Sequence, residues 1–335
     1  MSDNAPAWLI TGATGFLGRH VVEAIRRKTP DARIVALVRD ASTLAKPELR
    51  YLDGVHLVEG SLLDPTAWKA STELSNLKGI YHLAGEVKHS RSDTAGMMHL
   101  NVVGTTTMLR LAAEKGSRML FVSSSGTVGC STRPDDSPDE DAPFCEEISG
   151  AWPYYLSKIR AEVVSRALAE ELGADLVILR PPVMLGPGDH RYRSIGNVMR
   201  VVQRRLPFVL KGGMHFCDIR DVADAMVRAM DHPSPRPVYN LPGTASSLDE
   251  FFRLVAKHAG MQPSWRVLPT PLIWYAAKIN EALGRPVHLV PDPVVIEMGS
   301  HYWGLSSKYS EAELGYKSRD PGETLRDTIN WIKKH

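Results

Sequence analysis

"WLITGATGFLG", residues 8 to 18, decides the fold, because it joins an apolar run to glycines at positions 12, 15 and 18. Glycine at a strand-to-helix turn keeps the turn tight and lets phosphate oxygens approach the backbone N–H groups of the following helix. The spacing GxxGxxG is one residue longer than the common GxGxxG pattern. Taken alone, the stretch predicts either a phosphate-binding turn or a plain structural turn.

The segments that follow alternate between short apolar strands and longer helical patterns. The predicted strands are 7–11, 33–39, 55–60, 79–85, 118–125 and 175–182, and the longest predicted helices are 97–116 and 152–173. Parallel strands need crossover connections, so this rhythm predicts an α/β fold: a Rossmann-type, doubly wound parallel sheet with helices on both faces. After residue 183 the pattern breaks into shorter pieces rich in Pro and Gly, which indicates a smaller mixed C-terminal lobe.

The composition is that of an ordinary soluble globular protein. The 335 residues are 43% hydrophobic and 23% charged, and the net charge of +2 gives no reason to expect nucleic acid as a partner. Cys130, Cys145 and Cys217 lack CxxC spacing, so we expect neither a disulfide framework nor a metal site, in keeping with a reducing cytosol.

No signal peptide or transmembrane segment is expected, which predicts a cytoplasmic protein. The N-terminus, "MSDNAPAWLI", lacks a basic segment followed by a long apolar one. Residues 269–284 contain Lys278 and Glu281, and they predict an amphipathic helix over a core or pocket rather than an anchor.

The end of the second strand, "LVRD", carries information about a cofactor. An acid at this point would bind the adenine ribose of NAD, but the sequence has Arg39 there and Lys46 seven residues later. A guanidinium suits a 2′-phosphate, which favours NADP(H) over NAD(H). The alternative is that both residues are solvated loop charges.

Tyr154 and Lys158 are four residues apart on a predicted helix and therefore share one face. A nearby ammonium stabilises a phenolate and lowers its pKa, so this tyrosine could exchange a proton with a carbonyl oxygen during hydride transfer. The serines of "FVSSSGTVG" (121–129) follow the fifth strand, whose carboxyl end faces the ligand crevice. Each pattern alone also has a purely structural explanation. Tyr154 would then be a half-buried tyrosine, and the serines would form a turn.

Six motifs in order resemble the extended short-chain dehydrogenase/reductase family, also called the NAD(P)-dependent epimerase/dehydratase superfamily. They are "TGATGFLG", "HLAG" (82–85), Asn101 in "NVVGT", "SSSGTV", "YYLSK" and "RPPVMLGPGD" (180–189). The resemblance is closest to the dihydroflavonol-reductase and 3β-hydroxysteroid-dehydrogenase-like branch, in which "VRD" accompanies NADPH.

The resemblance implies a role for each matching residue. The pyrophosphate of the cofactor would lie on Gly12, Thr14, Gly15, Phe16 and Leu17, with Gly18 beside them. Arg39 and Lys46 would bind the 2′-phosphate, and Ser61 and Leu62 would contact the adenine. The ribose would lie along Leu83, Ala84 and Gly85, and the nicotinamide would lie on Pro181 and Val183. Tyr154 would be the general acid/base, and Lys158 would bind the nicotinamide ribose and tune Tyr154. The catalytic hydroxyl falls on Ser124, with Ser125 as the alternative. Asn101 would support a proton relay or serve only helix packing.

The same resemblance suggests the division of the chain. Residues 1–185 would form an NADP(H)-binding Rossmann domain to which 215–245 return, while 186–214 and 246–335 would form the substrate-binding lobe. The function expected is that of an NADPH-dependent reductase or dehydrogenase. It would interconvert a ketone or aldehyde and an alcohol on a small apolar or amphipathic substrate. Aromatic candidates for the substrate wall are Trp152, Phe208, Trp274, Tyr275, Tyr302 and Trp303.

Two other functions stay open at this point: an NAD-dependent nucleotide-sugar epimerase and a non-catalytic NADP(H)-binding sensor. "SSSGT" lacks the carboxylate of the family's dehydratases, and Met214 stands where an arginine would grip a sugar-nucleotide diphosphate. Arg191, Arg193 and Arg200 would meet an acidic group of a substrate or form a solvated face. The oligomeric state is open, with a homodimer as the assembly to test.

Overall fold

Seven strands form the central sheet of the computed structural model, which describes residues 5–92, 94–284 and 291–335. Residues 1–4, part of the stretch from which the absence of a signal peptide is predicted, and residues 285–290 of the predicted substrate lobe lie outside the described residues. In chain order the strands are β1 Ala7–Thr11, β2 Arg33–Val38, β3 His56–Glu59, β4 Leu77–His82, β5 Arg118–Val122, β6 Cys130–Ser131, β7 Leu176–Arg180, β8 Val183–Leu185, β9 Phe208–Val209, β10 Gly213–Asp218, β11 Val238–Asn240, β12 Thr244–Ser247, β13 Arg266–Val267 and β14 Tyr302–Trp303. The helices are α1 Phe16–Lys28, α2 Ala95–Lys115, α3 Glu146–Ser149, α4 Pro153–Leu172, α5 Gly196–Val202, α6 Ile219–Asp231, α7 Leu248–Ala259, α8 Thr270–Ala282, α9 Pro293–Gly299, α10 Ser310–Leu314 and α11 Pro321–Lys334.

The central sheet is parallel throughout, with the order β11-β7-β5-β4-β1-β2-β3. The strand order reverses between β1 and β4, so the loops that follow these two strands leave a crevice between them. The fold class predicted from the sequence is confirmed.

Helices cover both faces of this sheet, which explains why central strands such as β1 are buried along their whole length. On one face α1 and α6 pack with residues such as Val21, Ile25 and Met226 against Ile10. On the other face α2 and α4 contribute residues such as Met108, Leu109 and Leu168. Ile10 and its neighbour Leu9 are both fully buried, although they point to opposite faces.

A second apolar core lies in the remainder of the chain. There α5, α7 and α11 pack against β8 and β10 around Phe216, Phe251, Leu325, Ile329 and Trp331. Helix α6 and strand β11 lie instead on the side of the central sheet.

Helix α8 covers a small cluster, as the sequence predicts, but its outer side is apolar as well. Ile273 and Ala277 pack inward with Leu210 and Ile296. The exposed apolar side chains on and just after the helix are Leu272 (61% exposed), Tyr275 (63%), Ile279 (61%) and Leu283 (69%). Within the described parts of the chain, no helix has the length and apolarity needed to cross a bilayer.

Candidate active site

The glycine loop connects β1 to α1 at the point where the strand order reverses. Gly12 has φ +73°, and a Cβ there would lie 2.8 Å from the backbone nitrogen of Ala84, so both conformation and space require glycine. The Gly15 N–H donates to the Gly12 carbonyl at 2.9 Å, and Gly15 caps α1, whose first turn holds no acidic residue. The N–H groups at the start of α1 are therefore suited to an anion.

Gly18 and Leu17, both assigned to cofactor binding from the sequence, lie behind this loop. A Cβ on Gly18 would come within 2.3 Å of the Gly12 carbonyl oxygen, so glycine at this position lets α1 pack on the loop. Leu17 is buried in the apolar core. The side-chain positions of these two residues serve packing, and their assignment to the cofactor stays a prediction.

An open groove of about 830 Å³ begins at the glycine loop and crosses the carboxyl ends of β1, β2 and β4. It brings together most of the residues that the sequence assigns to the cofactor. Those lining it are Gly12, Thr14, Gly15, Phe16, Arg39, Lys46, Ser61, Leu62, Leu83, Ala84 and Gly85. This size and the glycine cradle fit a dinucleotide.

A hydrogen-bonded chain fixes the wall formed by Leu83–Gly85. The Thr105 hydroxyl donates to the Asn101 carbonyl at 2.6 Å, so it can accept from His82 Nε2 at 3.1 Å. His82 Nδ1 then accepts from the Thr11 hydroxyl at 2.8 Å, and Thr11 accepts from the Ala84 N–H at 3.2 Å. Burial, aided by the charge of Lys158, lowers the pKa of His82 to about 3, so the ring is neutral and holds this chain at ordinary pH.

Tyr154 interacts with Ser124, and Lys158, four residues after Tyr154 on α4, lies at the Gly85 end of the groove. Burial raises the pKa of Tyr154 to about 12, and the Ser124 hydroxyl opposes that rise. Burial lowers the pKa of Lys158 to about 8, partly offset by Glu162. The Lys158 ammonium donates to the Val122 carbonyl at 2.9 Å, and a Cβ on Gly85 would lie 3.6 Å from its nitrogen. The Lys158 nitrogen therefore lies close to the Gly85 end of the groove.

Glu162, buried in an ion pair with Arg180, supplies a negative charge that supports the Lys158 ammonium. Glu162, one turn after Lys158 on α4, accepts from Arg180 Nη2 at 2.6 Å and from the Thr127 hydroxyl at 3.1 Å. Burial alone would raise the pKa of Glu162, but Arg180 outweighs it and holds that pKa below its usual value.

Asn101 uses its amide to hold backbone in place. Its Oδ1 accepts from the Glu86 N–H at 2.8 Å, and its Nδ2 donates to the Glu86 carbonyl at 3.0 Å and to the Ser157 hydroxyl at 2.9 Å. Ser157 in turn donates to the Tyr154 carbonyl at 2.6 Å. Both donors of the amide are thus occupied, which favours the packing role over the proton relay.

Comparison with family models and known proteins identifies the family of this chain. The model of the NAD dependent epimerase/dehydratase family matches residues 8–241. The chain belongs to this family. It is an extended short-chain dehydrogenase/reductase, and the prediction of an NAD(P)-dependent enzyme is confirmed at that level.

Two curated relatives and one solved structure illustrate the range of this family. A putative dihydroflavonol 4-reductase of Synechocystis sp. is 26% identical and covers 99% of this chain and 96% of its own length. A UDP-glucose 4-epimerase of Vibrio cholerae is 28% identical over 83% of this chain and 82% of its own. The crystal structure of gox2253 is 27% identical, with a TM-score of 0.81 and coverage of 99% of both chains.

Pro181 and Val183, predicted at the nicotinamide, do not line the groove. The Pro181 carbonyl accepts from the Ser125 N–H at 2.9 Å, which links it to the serine cluster. Val183 begins β8 with 42% of its surface exposed. Their assignment to the cofactor stays a prediction.

The aromatic residues predicted for a substrate wall divide into separate groups. Trp152 and Trp303 cluster with Tyr155, whose ring centroid lies 5.0 Å from that of Tyr154. Phe208 and Trp274 pack with the small cluster under α8, and Tyr302 packs on Gly213 of β10. Tyr275 faces outward at 63% exposure, so among these predicted wall residues, in the described part of the chain, the first group is the one that adjoins Tyr154.

The loop between β4 and α2 covers this region from the other side. The His89 ring approaches the Tyr154 ring edge-on, with centroids 5.8 Å apart. Arg91 makes two hydrogen bonds to Glu297 of α9, at 2.7 and 3.2 Å. Glu297 also accepts from the Trp152 and Trp274 indoles, so one carboxylate ties the loop to both aromatic groups.

Several residues that line the groove were missed or assigned elsewhere from the sequence, among them Tyr51, Arg191 and Arg193. Tyr51 lines the groove, and its hydroxyl donates to the Ala13 carbonyl of the glycine loop at 2.9 Å. Nothing in the pattern around Tyr51 marks it. Arg191 and Arg193, interpreted as a substrate contact or a solvated face, also line the groove, whereas Arg200 is exposed on α5.

Proposed function

We propose that the protein is an NADPH-dependent reductase, or the reverse dehydrogenase, that interconverts a ketone or aldehyde and an alcohol on a small apolar or amphipathic substrate. The observation that carries this proposal is the convergence of Ser124 on Tyr154, four residues before Lys158, whose nitrogen lies beside Gly85 at the end of a groove that carries Arg39 and Lys46. A groove of this kind supplies cofactor binding, and the convergence supplies a proton donor next to it.

The chain's own groups account for the proton half of such a reaction. The nicotinamide, when bound, supplies the hydride in reduction or accepts it in oxidation. At neutral pH the Tyr154 hydroxyl is protonated, since burial raises its pKa to about 12, so it can donate to a substrate carbonyl oxygen. Ser124 can hold the same oxygen, and Lys158 favours the phenolate that the donation leaves. Oxidation uses the same groups in reverse.

The preference for NADP(H) rests on the basic end of the groove. Arg39 and Lys46 line it beside Ser61 and Leu62. The fork of a guanidinium matches a phosphate monoester, and an ammonium adds a second charge. A ribose without its 2′-phosphate would leave both charges without a ligand.

Titration and turnover test this function together. Binding of NADPH and NADH is measured by fluorescence, and carbonyl compounds are screened for NADPH oxidation. We expect NADPH to bind more tightly than NADH, and Tyr154→Phe to lower kcat by about 100-fold or more with cofactor affinity unchanged. Tyr155→Phe is the matched control, because Tyr155 packs on Trp303 and has Ile159 where Tyr154 has Lys158. Equal affinity for NADH would contradict the cofactor preference.

A nucleotide-sugar epimerase is the second candidate, since a UDP-glucose 4-epimerase is among the relatives. Met214, at the position of the expected diphosphate-binding arginine, is buried in the second apolar core, which speaks against it. The epimerase would retain NAD through purification and show no net redox turnover, so the absorbance of the purified protein separates the two. A non-catalytic sensor would bind NADPH and show no turnover that depends on Tyr154.

A further inference from the structure

The loop between β8 and α5, residues 186–195, reaches from the second apolar core to the glycine loop. Its Pro187 carbonyl accepts from His20 Nε2 of α1 at 2.9 Å, and a Cβ on Gly188 would lie 3.2 Å from the Arg19 side chain. Buried Asp189 accepts from the Ser194 and Ile195 N–H groups at 2.8 and 3.2 Å. The loop is thus fixed at both ends and passes over the first turns of α1.

Arg191 and Arg193 lie on this loop, before and after Tyr192 in the sequence. The Tyr192 ring packs on Trp331, with centroids 5.8 Å apart, and its backbone has φ +52°. Both arginines are exposed and line the groove. Within the described part of the chain, neither guanidinium makes an ion pair or a hydrogen bond, which is unusual beside so many carbonyl groups and carboxylates.

The charges around the groove favour an anionic ligand between its two walls. Arg39 and Lys46 lie on the sheet side, and Arg191 and Arg193 lie on the loop side. The acidic residues on the groove are Asp40, Glu48, Glu86 and Asp189. Asp40 accepts from Ser42, Glu86 pairs with Lys88, and Asp189 of the loop accepts from backbone N–H groups. The charge of the remaining acid, Glu48, acts on His190 of the loop.

We propose that Arg191 and Arg193 bind the pyrophosphate of the dinucleotide from the side opposite the glycine loop. The loop passes over α1, and this position favours the pyrophosphate rather than the 2′-phosphate as the group that the two arginines bind. The charge of Arg191 also acts on Tyr51, whose hydroxyl is bonded to Ala13 within the glycine loop. Cofactor binding then joins the segment that follows β8 to the sheet. The inference rests on the proposed function, because it requires a dinucleotide in this groove.

The double variant Arg191→Ala/Arg193→Ala tests this by calorimetric titration with NADPH, NADH and 2′-AMP. NADPH and NADH both carry the pyrophosphate, whereas 2′-AMP carries only the phosphate assigned to Arg39. We expect the double variant to weaken both dinucleotides by about 10- to 100-fold and to leave 2′-AMP unchanged. Arg39→Ala should weaken NADPH and 2′-AMP and spare NADH.

Arg200→Ala is the matched control, since Arg200 is an exposed arginine that does not line the groove. It should bind all three ligands as the wild type does, and the melting temperatures of the ligand-free variants should agree. A double variant that binds both dinucleotides like this control would overturn the inference alone. A loss confined to NADPH and 2′-AMP would overturn it in favour of the 2′-phosphate. Wild-type protein that binds neither dinucleotide would overturn the proposed function itself.

Discussion

Ser124 and Ser125 are neighbours after β5 with different surroundings, and this difference makes the choice between them testable. Ser124 is partly exposed and interacts with Tyr154, whereas Ser125 is buried at 8% exposure and its N–H donates to the Pro181 carbonyl. Burial raises the pKa of Tyr154 to about 12 and Ser124 opposes that rise, so Ser124→Ala should raise it further. Alcohol oxidation needs the phenolate, so its pH–rate profile should move to higher pH, with kcat lower by about 10²- to 10³-fold.

Ser125→Ala is the control for this prediction, since alanine keeps the backbone hydrogen bond to Pro181. It should retain the wild-type pH profile and nearly the wild-type kcat. Profiles measured from pH 6 to pH 10 check both variants. A shift produced by Ser125→Ala and not by Ser124→Ala would move the catalytic hydroxyl to the second serine.

At the scale of elements, one exposed ion pair ties the loop between β4 and α2 to α9. Arg91→Ala removes both hydrogen bonds to Glu297 and frees the segment that carries His89 over Tyr154. Because Arg91 is about half exposed, the pair is worth at most about 1 kcal/mol, so KM for a carbonyl substrate should rise by no more than about fivefold. The Kd for NADPH should not change, and amide exchange in 86–92 should become faster. Arg133→Ala, which breaks a similar exposed pair with Asp136, should change neither.

The elements themselves were predictable from the sequence, and the contacts between distant elements were not. Strand β1, helix α4 and the turn at Gly12 follow from local apolar periodicity and glycine placement, so the sequence predicts them nearly to the residue, whereas β5 ends three residues before its predicted end. The pair Arg91–Glu297 joins residues 206 positions apart, and no local pattern encodes it. Arg191 could be recognised as a cation but not as a groove residue, since that depends on where the loop after β8 lies.

At the scale of the whole molecule, an ion-pair cluster joins α6, which packs on the central sheet, to the start of α11. Arg319 bonds Asp221 at 2.6 Å and lies 3.6 Å from Asp218, while Arg220 bonds Asp218 and Asp327. Arg319→Ala leaves the mostly buried Asp221 without its guanidinium partner. We expect the free energy of unfolding at pH 7 to fall by about 2 kcal/mol, less than for a fully buried pair because Arg319 remains partly exposed.

The effect of this variant should depend on pH in a defined direction. Burial alone would raise the pKa of Asp218, but the hydrogen bonds from Arg220 and the charge of Arg319 hold it below its usual value. A carboxylate whose folded-state pKa is depressed stabilises the fold fully above its unfolded-state pKa of about 4, and this stabilisation is lost as the pH falls through the folded-state value.

In urea unfolding, the difference between the wild type and Arg319→Ala should therefore be largest at neutral pH and shrink below about pH 4. Arg326→Ala, an exposed change on the same helix, should stay within about 0.5 kcal/mol throughout. A difference that persists unchanged into acid would mean that Arg319 acts through packing of its stem, and that the charges of Asp218 and Asp221 do not hold the last helix to the sheet.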